Sequence, residues 1–241
     1  MKKNLLIAVL VLIVAGALVF SSAVLAYEAG TVDNGGTITG KVVFKGGTVP
    51  TRTVVPTKNK DVCGSVRQEP LVEVGKDGGV MNAVAILKGV TKGKSWREPE
   101  GEYTLDNDKC IFHPHVQIVP MGSDLAVHNS DPFLHNTHSF YGDKTAFNVA
   151  LPFPGAQVKR KLDKPGIVRV DCDVHGWMRG WVYVADNPYY TLTSEDGSFA
   201  IDDVPPGAYT LIIWQEHGGE MEKEVMVKAG ETFDVGTIEI K

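Results

Sequence analysis

The segment Asp171-Cys172-Asp173-Val174-His175-Gly176-Trp177-Met178 carries three metal-capable side chains in the spacing C-x2-H-x2-M. On an extended strand through residues 167–172, Val168, Val170 and Cys172 share one face, and Arg169 and Asp171 share the other. Cys172 is therefore expected to point inward with the valines. A thiolate in an apolar interior needs a cation to compensate it. His175 and Met178 follow on a short loop, so three donors can converge on one ion. A second segment, Asn129-Ser130-Asp131-Pro132-Phe133-Leu134-His135-Asn136, places another His after a strand and a turn. One Cys, two His and one thioether form the donor set of a type 1 (blue) copper site. Soft sulfur favours Cu(I) and imidazole tolerates both oxidation states, so such a set lets the metal change state with little rearrangement.

Other readings of the same residues stay open. The C-x2-H-x2-M string alone fits an inert buried Cys beside a chance His and Met. Zinc accepts Cys and His, but a thioether is a poor zinc ligand. A dinuclear copper centre needs a second Cys in the loop, and none lies between Cys172 and Met178. Cys63 and Cys110 remain as a pair, which in an oxidising compartment usually means a disulfide. The alternatives are two free thiols, or Cys110 as a ligand. His113 and His115 make a weak H-x-H signal, and His128, His138 and His217 read as structural. No nucleophile with a placed base and no Gly-rich phosphate loop is present, so a non-enzyme is expected.

The elements around these residues are short alternating runs divided by Gly, Pro, Asn and Asp. Ile38, Val42 and Phe44 share one parity, Val116 and Ile118 alternate with Gln117, and residues 80–90 form a denser apolar run. No long stretch has a 3.6-residue period, so the fold class is all-β, built of sandwiches. The chain has 241 residues, 43% of them apolar, which excludes wholesale disorder. A net charge of −5 offers no electrostatic basis for nucleic-acid binding. Lys2 and Lys3, the apolar run of residues 5–20 and the small residues ending at Ala26 follow the order of a secretory signal. Residues 1–26 are thus expected to be a signal peptide, or a membrane anchor if uncleaved, which puts the body of the protein in the periplasm or otherwise outside the cytoplasm. Residues 27–35 read as a tether.

Residues 110–185 resemble a cupredoxin, with a loop length like that of amicyanin. The matched positions are His135 with Asn136, then Cys172, His175 and Met178, with Phe112, Pro114, Gly122 and the strand 181–184 fitting the surrounding framework. The resemblance implies a Greek-key β-sandwich carrying single electrons. It makes His135, Cys172, His175 and Met178 the ligands of one type 1 copper, and gives Asn136 a hydrogen bond across to the Cys172 loop. Val174 stands where many relatives carry Pro. In that family the equivalent of His175 reaches the surface through an apolar patch, for which Pro132, Phe133, Leu134 and Trp177 are the candidates here. Residues 187–241 resemble a carboxypeptidase regulatory-like (prealbumin-like) sandwich through Asp196, Gly197, Phe199, Ile201, Pro205, Pro206, Gly207, Tyr209 and Leu211. The same family opens on a Gly-x-Val strand, and Gly36-Thr37-Ile38-Thr39-Gly40-Lys41-Val42 is similar to it. Residues 36–90 are therefore expected to supply N-terminal strands, the first completing the C-terminal sandwich, with the cupredoxin-like part at 91–186.

The functional expectation is an exported type 1 copper protein that passes single electrons between a redox donor and a redox acceptor. The alternatives are a copper-binding or chaperone protein that stores or delivers Cu(I), a subunit of a copper oxidase or nitrite reductase, and an adhesion module.

Overall fold

The computed structural model describes residues 27–97, 99 and 101–241. The expected signal peptide or anchor at 1–26 lies outside the described residues. The described chain is all-β apart from short helical turns such as Lys60–Cys63.

Two sheets enclose the core that holds the candidate ligands. One has the order Lys144–Leu151, His135–Tyr141, Gly166–Asp171, Arg179–Ala185, Val116–Pro120. The other has the order Gln157–Lys161, Asp124–Asn129, Tyr103–Asp108, Ile111–His113. Leu105, Phe112, Leu125 and Val127 from the second meet Val168, Val170, Val182 and Val184 from the first. A second sandwich pairs the sheet Tyr190–Leu192, Val84–Lys88, Gly207–Gln215, Gly219–Val227 with the sheet Ser198–Val204, Gly36–Phe44, Thr232–Ile240. Gly36–Phe44 is thus hydrogen-bonded between strands from the other end of the described chain. The turn feeding Ser198–Val204 needs Gly197, whose φ is 81° and where a Cβ would sit 2.1 Å from the Val42 carbonyl oxygen.

A third apolar cluster joins the two sandwiches. Alternation along the strands explains it: Ala85 and Leu87 face the second sandwich's own core, whereas Val84 and Ile86 face outward. Val182 and Val184 face the first core, and Trp181 and Tyr183 face outward. The two outward faces meet, with the Trp181 and Trp214 rings 5.2 Å apart. Strands buried on both sides read as continuous apolar runs, which is the pattern at 80–90.

Two segments run differently from the sequence reading. Residues 27–35, expected as a tether, include Glu28–Ala29 paired with Lys92–Gly93, and the Tyr27 hydroxyl donates to the Lys94 carbonyl at 2.5 Å. Thr51–Val54 and Arg67–Pro70 form a two-stranded arm. Its tip, residues 55–66, reaches the first sandwich, where Cys63 is disulfide-bonded to Cys110 with Cα atoms 5.1 Å apart. The two cysteines are 47 positions apart, so the bridge removes roughly 4 kcal/mol of unfolded-chain freedom on the loop model.

Candidate metal centre

His135 opens its strand, and Cys172 immediately follows the neighbouring strand, whose Asp171 pairs with His138. This register sets Cys172 and its loop beside His135 and Asn136. Val168, Val170 and Cys172 are all buried, as the shared parity requires. The Cys172 Sγ lies 3.7 Å from His135 Nδ1 and 3.8 Å from His175 Nδ1. The two Nδ1 atoms are 3.0 Å apart. Both histidines are fully buried. Met178 is buried in the same core, and its N–H donates to the His175 carbonyl at 2.8 Å, closing the loop.

The distal nitrogens explain why the proximal ones face each other. His135 Nε2 is 2.8 Å from Asp131 Oδ2, and His175 Nε2 is 3.0 Å from Asn59 Oδ1. A carboxylate and an amide oxygen only accept, so each ring carries its proton on Nε2. Burial pushes the His135 pKa down despite Asp131. Burial, then the neighbouring His135 and Lys58, push His175 down to about 4. Both rings are therefore neutral near pH 7, and each Nδ1 presents a lone pair to the other. Burial also raises the Cys172 thiol, against hydrogen bonds that lower it. Two lone pairs and a buried sulfur, all within 4.8 Å of one another, form a donor set that fits a soft or borderline cation. His135, Cys172 and His175 would hold such an ion.

Asn136 ties the loop down. Its Oδ1 accepts from the Asp173 N–H at 2.7 Å and the Val174 N–H at 3.3 Å, and lies 3.4 Å from Cys172 Sγ. The His175 N–H also points at Cys172 Sγ, at 3.4 Å.

Asp131, which the sequence marks only as part of a turn, is a hub. Besides His135 it accepts from the N–H groups of Lys109 at 2.7 Å and Cys110 at 2.9 Å. These two residues form a tight turn with φ of 51° and 59°. The disulfide partner loop and the His135 imidazole therefore share one buried carboxylate. Asn59, 116 residues from His175 in sequence, has no local signal that points to the site. Cys63 and Cys110 also lie near His175, but their sulfurs are committed to each other.

The other singled-out residues are dispersed. Phe133 packs against both imidazoles at 5.4 Å, and Trp177 meets His175 edge-on at 5.2 Å. Both are half-buried, whereas Pro132 and Leu134 are exposed. His113 is exposed and His115 bonds Glu216 across the two sandwiches at 2.9 Å, so the H-x-H pair does not converge. His138 bonds Asp173 and Thr145.

Two groups of known proteins resemble parts of this chain. The family described as polysaccharide lyase family 4, domain II, matches residues 165–235. A probable rhamnogalacturonate lyase A from Aspergillus flavus is 43% identical over 54 residues, which is 22% of this chain and 10% of that enzyme. The chain thus spans about a tenth of the length of that curated relative. Among solved structures, a purple cupredoxin from Nitrosopumilus maritimus is 21% identical, with a TM-score of 0.32, over 35% of this chain and all of the other. An oxidised amicyanin variant is 21% identical over 36% of this chain and 84% of its own, with a TM-score of 0.32. A Cu-containing nitrite reductase from Thermus scotoductus SA-01 is 22% identical over 37% of this chain and 23% of its own, again with a TM-score of 0.32.

Proposed function

We propose that this chain is an extracytoplasmic copper protein that passes single electrons between a redox donor and a redox acceptor. The observation that carries the reading is the pair of neutral, buried imidazoles whose Nδ1 atoms face each other 3.0 Å apart beside the Cys172 sulfur. That arrangement is repulsive without a cation and needs no change of tautomer to accept one. His135, Cys172 and His175 hold the ion in this reading, and Met178 supplies the weak fourth donor. A copper ion bound there provides a one-electron Cu(II)/Cu(I) couple. The protein's part is rigidity: Asp131 and Asn59 fix both rings from behind, and Asn136 fixes the Cys172 loop. The Cys63–Cys110 disulfide supports an oxidising compartment.

Titration with Cu(II) tests this. One equivalent should bind with an intense visible thiolate-to-copper band, and Cys172→Ser should abolish the band. A band that survives Cys172→Ser refutes the assignment. Reversible reduction with the metal retained separates electron transfer from Cu(I) storage or delivery. A second reading, glycan attachment, has the match over 165–235 in its favour. Binding of rhamnogalacturonan oligosaccharides to the metal-free protein would support it.

A further inference from the structure

His175 has no exposed surface, because the tip of the arm lies over it. The group in front of its Nε2 is the side chain of Asn59, which is itself exposed. The tip is firmly held. The Asn59 carbonyl accepts from the N–H groups of Val62 and Cys63 at 3.0 and 2.8 Å, Arg67 donates to the Cys63 carbonyl at 3.1 Å, and Cys63 is bridged to Cys110. Asn59 has φ 47° and ψ 42°, a left-handed conformation that aims its amide inward while its neighbours face out. Those neighbours are Lys58 and Lys60, both exposed, and the tip also presents Val55 and Val66, 50% and 61% exposed. Lys109, next to the bridged Cys110, is also exposed, with its ammonium 4.0 Å from the Asp108 carboxylate, so the excess of positive charge rests on Lys58 and Lys60.

We infer that this lysine-flanked tip, centred on Asn59, is the surface on which a redox partner with an acidic face docks. The inference rests on the proposed electron-transfer function and replaces a bare histidine edge with an amide cover. Two features favour an acidic partner. The chain as a whole carries −5, yet the residues over His175 are Lys58, Asn59 and Lys60, with Asp61 alone opposing them among those neighbours. The exposed valines supply a small apolar contact that suits short-lived docking. The electron count is simple: one electron leaves the reduced site and reduces the partner's one-electron acceptor, with no proton transferred.

The hexacyanochromate(III) trianion is a redox-inert paramagnetic probe for such a surface. Added to the metal-free full chain, it should broaden the backbone amide resonances of residues 57–61 and 109, and the broadening should vanish in Lys58→Glu/Lys60→Glu. The basic edge strand Gln157–Lys161 is the competitor: broadening confined to it, or none at the tip, overturns the inference. These outcomes do not depend on copper. In the copper-loaded protein, the double variant should slow oxidation by hexacyanoferrate(III) about tenfold at low ionic strength, with the difference shrinking as salt rises. Val55→Ser/Val66→Ser, at residues that touch neither imidazole, should also slow that rate while leaving the visible band in place. An unchanged rate in both variants, with the band intact, overturns the inference but leaves the copper reading standing. A missing band in the parent refutes the copper reading while the amide map still decides the docking surface.

Discussion

Replacing Asp131 by Asn separates the role of this carboxylate in the fold from its role at the metal site. The buried Asp131 receives three hydrogen bonds, from His135 Nε2 and from the N–H groups of Lys109 and Cys110. In Asp131→Asn the oxygen facing Lys109 can remain. The other position becomes an NH2 group facing two donors. His135 has an escape: it can move its proton to Nδ1 and accept from the new amide through Nε2. The moved proton then lies between two Nδ1 atoms 3.0 Å apart, where it makes a hydrogen bond to His175. The folded apoprotein therefore loses mainly the Cys110 bond, a cost of ~1–3 kcal/mol. Copper binding must instead expel that proton and restore the old tautomer against the amide. Loss of such a partner behind a ligand typically costs ~10–100-fold in metal affinity. Urea unfolding of the metal-free protein gives the first quantity, and competition with a Cu(I) chelator gives the second. Imidazole 15N shifts report the tautomer directly. An affinity within twofold of the parent, with His135 still protonated on Nε2, would refute this account.

Three further outcomes are expected. Met178→Gln replaces a soft sulfur by an amide oxygen and should lower the reduction potential with copper retained, read by voltammetry; a potential that rises removes Met178 from the donor set. Thiol titration of the denatured, metal-free protein should find one reactive sulfur, Cys172, and three only after reduction of the Cys63–Cys110 bridge. The His115–Glu216 pair should make stability pH-dependent. Burial opposes the charge on His115, but the hydrogen bond and charge of Glu216 outweigh it and raise the pKa above 6.5; burial likewise opposes the charge on Glu216, which His115 and Trp181 hold below 4.5. The His115 share is full below about pH 6.5 and is lost as pH rises through the raised value. The Glu216 share is present above about pH 4.5 and is lost as pH falls through the depressed one. Glu216→Gln should flatten both limbs of a plot of unfolding free energy against pH.

Local chemistry was the legible part of this sequence. The parity of Val168, Val170 and Cys172 fixes an inward thiol, and that inference needs only the two-residue repeat of a strand. Turn-rich short alternations likewise announce an all-β chain. What sequence could not show depends on long-range contact. Asn59 reaches His175 because a distant arm folds across the end of a sandwich, and nothing local encodes that path. Asp131 sits in an Asn-Ser-Asp-Pro string that satisfies a turn completely, so its second use as a buried acceptor leaves no separate trace. The apolar run at 80–90 was visible, but not its cause: on the strand it contains, Val84 and Ile86 face one core and Ala85 and Leu87 another.

The pairing of Gly36–Phe44 with Thr232–Ile240, which sets Thr37 beside Thr232, also governs the order of assembly. During synthesis the early strand emerges long before either of its neighbours, Ser198–Val204 or Thr232–Ile240, exists. Until then it offers an unpaired edge to any extended chain nearby. The sandwich that carries His135 and Cys172 is built from residues made in between, so it can complete its own core first. The outer sandwich then closes in a late, slow step of high contact order. A chaperone that shields the early strand would act on this interval, and a chain shortened before Thr232 would keep the metal-site sheets intact while remaining prone to pair with its own copies.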